Sequence, residues 1–177
     1  GVSLGYSNAN QSQFGFAAGN GNTLGDTASN TVAIGQNNEV QSDSASFGSQ
    51  SVALGNNNIT RGIGMFCIGS QNEPHWSSTS GYTTSNYTFL VGYNNSMLPL
   101  GSVGSYGMAL GHHLQTSDNM IALGLYNNTS TMGFSNTNGS STSSEETVFV
   151  IGNGYHGMGR NTFRIAPDTV QNMEYRG

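Results

Sequence analysis

The sequence predicts an all-β protein of the β-solenoid type, and two features of the chain lead to this prediction. A short unit of apolar residues, a glycine and an Asn-rich turn recurs along the chain, and such repetition is typical of stacked architectures. No window has the 3.6-residue apolar spacing of an amphipathic helix. Where the repeats are closest, their glycines stand about 14 residues apart, which suits a coil of two short strands and two tight turns.

The repeats are regular in composition but irregular in spacing. Clear copies occupy residues 32–38, 52–58, 66–72, 89–95, 108–111, 121–128 and 148–153, with less regular copies at 2–5 and 16–20. The longer gaps predict loops inserted between coils. We therefore divide the chain into a repeat region, residues 1–154, with inserts at 73–87 and 126–147. Residues 155–177 form a C-terminal transition segment, which we expect to lead to a module outside this chain.

Alternation along the strands predicts a core. In Val32-Ala33-Ile34 the strand period of two places Val32 and Ile34 on one face and Ala33 on the other. We expect the large residues to be buried, and small residues such as Ala33, Ala53, Ala109 and Ala122 to let neighbouring chains approach. The predicted core residues are Val32, Ile34, Val52, Leu54, Phe66, Ile68, Leu110, Ile121, Leu123 and Ile151.

The turn residues also have a physical role. Glycine permits backbone conformations closed to other residues, and the asparagines that follow tolerate left-handed backbone. Stacked coils place Asn above Asn, so we expect side-chain amides to bond in ladders. One coil cannot bury its own apolar face, and stacking is therefore needed for stability.

The composition excludes several classes of protein. Charged residues are 7% of the chain, against roughly 25% in an ordinary soluble domain. With 4 Lys and Arg in total and a net charge of -5, nucleic-acid binding is not expected. No apolar run has the length of a membrane span, so we expect no membrane insertion. The single cysteine, Cys67, excludes an internal disulfide, and its apolar neighbours predict a core position.

The repeat motif resembles a known family. Thr31-Val32-Ala33-Ile34-Gly35 and Ser51-Val52-Ala53-Leu54-Gly55 are similar to the head repeats of trimeric autotransporter adhesins, which also occur in phage tail-fibre and tail-spike proteins. Those heads are left-handed β-rolls with three chains side by side, so the resemblance implies a homotrimer. Residues 151–154 and 160–165 resemble the junction between such repeats and a C-terminal module in phage fibres.

The resemblance implies a structural and receptor-binding segment of an extracellular fibre, on a virion tail or a bacterial surface. Its partners would be a host-cell glycan or protein and other fibre or tail proteins. A phage tail fibre is the preferred interpretation because of the C-terminal junction. The alternatives are an autotransporter adhesin head, a glycan-hydrolysing tail spike and a purely architectural filament.

The inserts hold the candidate receptor-binding residues, since surface loops on rigid scaffolds commonly carry binding residues. Exposed Trp and Tyr are good anchors for a sugar ring or a protein partner. The alternative is that Trp76 covers a gap in the core. The candidates are His75, Trp76, Tyr82 and Tyr87 in the first insert, and Met132 and Phe134 in the second.

Catalysis and cofactors are not expected. Glu145 and Glu146 are the only adjacent carboxylates, and neighbouring residues on a strand face opposite ways, so they make a poor acid and base pair. His112 and His113 are the candidate metal ligands, since in a trimer one of them could meet its copies on the axis and hold a metal, with a solvated turn as the preferred interpretation. We therefore expect a protein that is not an enzyme and has no cofactor.

Overall fold

Long and short strands alternate along the chain. The computed structural model describes residues 1–26, 28–41, 50–73, 87–97, 106–116, 120–127 and 149–154, with backbone alone for Pro74 and for 161–165. All secondary-structure elements in these residues are β-strands, so the prediction of an all-β protein is confirmed. The parallel sheets are compatible with a β-solenoid.

Three sheets are formed by the described residues. The ten-stranded sheet contains, in spatial order, β1 (Val2–Tyr6), β3 (Phe16–Asn20), β5 (Val32–Gln36), β7 (Val52–Asn56), β9 (Phe66–Ser70), β11 (Thr88–Tyr93), β13 (Gly107–His112), β15 (Met120–Leu125), β16 (Phe149–Asn153) and β17 (Asn161–Ile165). The four-stranded sheet contains β2 (Ala9–Asn10), β4 (Thr23–Leu24), β6 (Glu39–Gln41) and β8 (Ile59–Arg61). The three-stranded sheet contains β10 (Glu73–Pro74), β12 (Ser96–Met97) and β14 (Gln115–Thr116). Neighbouring strands are parallel except β16 and β17, which are antiparallel.

The repeats stack with their glycines in register. Gly35 lies opposite Gly55, and Gly55 lies opposite Gly69. Gly55 has a φ of 120°, and a Cβ on it would clash with the carbonyl oxygen of Gly69. Glycine at this position therefore both turns the chain and permits close approach of the next strand.

The core lies on the opposite face of the long strands from the one predicted. Ala33 and Ala53 are completely buried and pack in one cluster with Leu24 and Val40 of the short strands. Ile34, by contrast, is 42% exposed. The predicted alternation is correct, but the assignment of the buried face is wrong. The prediction that the alanines lie between neighbouring chains is also wrong.

None of the ten predicted core residues is fully buried within the chain. Val32, Val52, Leu54, Phe66, Ile68, Leu110 and Leu123 are half-buried, and Ile34, Ile121 and Ile151 are exposed. The physical reason is the narrow space between the long and short sheets. Leu24 and Val40 fill this space from the short strands and pack against alanines, whereas Leu90 and Val150 are buried in the same column farther along the stack. Cys67 occupies the same inward column as Ala53 and is buried, as predicted.

The large apolar residues form a continuous surface along the ten-stranded sheet, here called the outer apolar face. The rings of Phe66 and Phe89 stack on it, with centroids 5.3 Å apart. Register pairing aligns its members in two columns. One column is Val2, Phe16, Val32, Val52, Phe66, Phe89, Met108, Ile121 and Phe149, and the other is Leu4, Ala18, Ile34, Leu54, Ile68, Val91, Leu110, Leu123 and Ile151.

A ladder of asparagines runs beside the long strands, which confirms the predicted amide ladder. The backbone N and the Nδ2 of Asn58 each donate to Oδ1 of Asn38 at 3.1 Å. The same Nδ2 lies 3.0 Å from the Leu54 carbonyl oxygen and 2.9 Å from that of Gly69. The members are Asn8, Asn22, Asn38, Asn58, Asn72 and Asn95. The ladder ends where the Leu114 backbone N donates to Oδ1 of Asn95 at 3.0 Å, since leucine stands in place of the next asparagine.

Candidate binding surfaces

Most of the predicted receptor-binding residues lie outside the described part of the chain. These are His75, Trp76 and Tyr82 of the first insert, and Met132 and Phe134 of the second. Tyr87, at the end of the first insert, is described. The candidate metal ligands His112 and His113 are described as well.

Tyr87 belongs to a stacked pair of tyrosines. It directly precedes β11, its φ is 52°, and its backbone N donates to the Ile63 carbonyl oxygen at 2.7 Å. Its ring stacks on Tyr106, which directly precedes β13, with centroids 5.3 Å apart and planes 8° apart. The side chains are 53% and 58% exposed. The register of β11 and β13, with Thr88 opposite Gly107, places both tyrosines at the same end of the sheet.

The tyrosine pair can present aromatic surface to a ligand. Two exposed parallel rings offer flat apolar area together with hydroxyl groups, the combination that suits sugar rings and protein side chains. Tyr106 was not among the binding residues predicted from the sequence. Its signal was present, because Tyr106 stands immediately before a repeat strand, as Tyr87 does.

Two histidines and two tyrosines gather at the other end of the same strands, and we call them the histidine–tyrosine cluster. Tyr93 and His112 stack with ring centroids 4.9 Å apart, and His113 and Tyr126 stack at 4.5 Å. Nδ1 of His113 lies 3.0 Å from Nδ1 of His112. Both histidines are half-buried. The predicted candidate pair is therefore brought together, with aromatic neighbours that the sequence analysis did not include.

The described residues offer few other reactive groups. Burial raises the pKa of Cys67 to about 12, so its thiol stays protonated at neutral pH and is not a ready nucleophile.

Among the described residues, no three of the His, Cys, Asp and Glu side chains gather in a way that would hold a metal. The described part of the chain also has no helix of the length and apolarity needed to cross a membrane. The chain matches no protein-family model, no curated protein and no solved structure.

Proposed function

We propose that this chain is a structural and receptor-binding segment of an extracellular, trimeric β-solenoid fibre. The outer apolar face is the observation that carries the proposal. The sequence resemblance to adhesin heads and phage tail fibres supplies the number of chains, the left-handed coil and the setting, a virion tail or a bacterial surface. The junction-like residues 151–154 and 160–165 favour the phage tail fibre.

The outer apolar face is long enough to need a partner. Nine parallel long strands spaced about 4.8 Å apart give a face roughly 38 Å long. All members of its two columns are apolar, and Ile34, Ile121 and Ile151 are 42%, 39% and 37% exposed. Contiguous exposed apolar surface of this extent marks an interaction site. Other copies of this chain offer a matching apolar surface with the same repeat spacing, so chains can pack side by side along the stack.

The oligomer is tested by its mass. In native buffer we expect mass spectrometry or light scattering to give three times the chain mass of 18.5 kDa. Burial of the outer apolar face against identical chains is the physical reason, since such burial contributes roughly 25 cal/mol per Å² of apolar surface. A stable monomer at micromolar concentration would contradict the proposal.

Attachment is expected to depend on the first insert. Replacing Trp76 or Tyr82 with alanine should reduce binding to host cells at least tenfold, because these rings supply contact area and polar atoms together. Three copies per fibre add avidity, so the loss should be largest for intact fibres on cells. Cell-binding assays on purified, fluorescently labelled protein measure the effect.

A matched control is available in Tyr6, which is 75% exposed on β1 and outside both inserts. Tyr6→Ala should leave binding unchanged, and the native mass should stay that of the parent for all three variants. If the Trp76 and Tyr82 variants bind cells as the parent does, the insert is not the binding site. A purely architectural filament would then be the better interpretation.

A further inference from the structure

The histidine–tyrosine cluster has a geometry that the proposed fibre role does not use. Neighbouring residues on a strand normally point to opposite faces. His112 ends β13, and His113 has a φ of 55°, in the left-handed region. This turn of the backbone brings the two imidazoles together, with Nδ1 atoms 3.0 Å apart and ring centroids 4.3 Å apart.

The aromatic neighbours hold both rings in place. Tyr93 stacks on His112 and Tyr126 stacks on His113, each with an angle of 18° between the ring planes. Each tyrosine ring also lies 5.4 Å from the other imidazole, and packing of the four rings keeps the two Nδ1 atoms close before any ligand arrives. A pair of ligands that is held in advance binds a metal with a smaller loss of conformational entropy.

The repeat itself does not require histidine at these positions. The register places Gln36, Asn56 and Tyr93 in the column of His112. The left-handed position of His113 is filled by Asn37 and Asn57 in other repeats, with φ values of 52° and 53°. The turn can therefore form without imidazole side chains at these two positions.

We infer that His112 and His113 form a bidentate site for a divalent transition metal of the Ni²⁺ or Cu²⁺ class. Two metal–nitrogen bonds of about 2.0–2.1 Å that span 3.0 Å meet at an angle of roughly 95°. This angle is close to the 90° of square-planar and octahedral coordination, which Cu²⁺ and Ni²⁺ adopt. Tetrahedral Zn²⁺ needs a nitrogen separation of about 3.3 Å, so the pair suits Zn²⁺ less well.

Binding requires a change of tautomer. Without metal, one Nδ1 carries a proton and donates it to the other Nδ1. With metal, each imidazole turns so that its Nδ1 lone pair points to the ion, and the donor ring's proton moves from Nδ1 to Nε2. Among the described residues only His112 and His113 offer ligand nitrogens here, so we expect water to complete the coordination and binding to be reversible.

The test uses the full chain without a polyhistidine tag and with NiCl2 as the probe. Isothermal titration calorimetry should give one Ni²⁺ per chain, with Zn²⁺ at least tenfold weaker. Cu²⁺ should give electron paramagnetic resonance spectra with coupling to two imidazole nitrogens. The variants His112→Gln and His113→Asn use residues found at these positions in other repeats, so we expect them to fold. Each should weaken Ni²⁺ binding at least tenfold, and the double variant should abolish it.

The chain's other histidines provide the control. His75→Gln and His156→Gln should leave the Ni²⁺ affinity and stoichiometry unchanged. Unchanged Ni²⁺ binding in the double variant would overturn the inference, as would tighter binding of Zn²⁺ than of Ni²⁺. The result does not depend on trimer formation or attachment, since both ligands come from one chain and the readout is metal binding alone.

Discussion

Replacing Asn58 with alanine is expected to lower the free energy of unfolding by about 3–6 kcal/mol, because each buried polar group left unpaired costs about 1–3 kcal/mol. Asn58 is completely buried. Its Oδ1 accepts bonds from the backbone N and the Nδ2 of Asn72, and its Nδ2 donates to neighbouring carbonyl oxygens. Alanine removes all of these bonds, although Nδ2 of Asn72 keeps its bonds to the carbonyl oxygens of Ile68 and Gly92. The expected loss is comparable with the total stability of many domains, which is about 5–15 kcal/mol.

The neighbouring Asn57 is the matched control. Asn57 is exposed, with a φ of 53°, so Asn57→Gly keeps the turn and breaks no ladder bond. We expect it to change stability by no more than about 0.5 kcal/mol, as surface substitutions usually do. Thermal or denaturant unfolding followed by circular dichroism measures both variants. Equal stability of the two would mean that the asparagine ladder does not hold the stack together.

Substitution by aspartate is expected to affect folding at Ala53 but only association of chains at the adjacent Leu54. Ala53 is completely buried between the sheets, and an unpaired charge there should prevent the chain from folding. Leu54 lies on the outer apolar face and is half-buried in the single chain. Leu54→Asp should therefore leave the strands formed but prevent association, because assembly would bury one carboxylate per chain against apolar residues. Circular dichroism reports the strands, and native mass reports the association.

Two further variants make this comparison decisive. Asn57→Asp adds a charge at an exposed position of the same repeat and should leave the proposed trimer intact. Leu54→Ala removes apolar area without adding charge and should weaken association while preserving the β-type spectrum. A normal trimer from Leu54→Asp would show that the outer apolar face is not the interface. Soluble, folded Ala53→Asp would show that the buried face has been misassigned.

The strand class and the register could be predicted from the sequence because both follow from local chemistry. Glycine and asparagine at fixed places in each repeat exclude helices and demand turns with positive φ. Asn37, Asn57 and Asn94 do have φ values of 52°, 53° and 51°. Identical residues at identical repeat positions then align strand on strand, which explains why the glycines and the asparagine ladder are in register.

Only the tertiary structure decided which face of the long strands is buried. Alternation along Val52-Ala53-Leu54 is the same whichever face points inward. Sequence periodicity alone therefore determined which residues share a face of the strand, but not which of the two faces is buried. Packing between the sheets decides, because Leu24 and Val40 cluster with buried alanines of the long strands, and Cys67 and Leu90 are buried in the same column farther along the stack. The pairing of Tyr87 with Tyr106 and the convergence of His112 and His113 also required the structure, because strand register and a left-handed residue bring these side chains together.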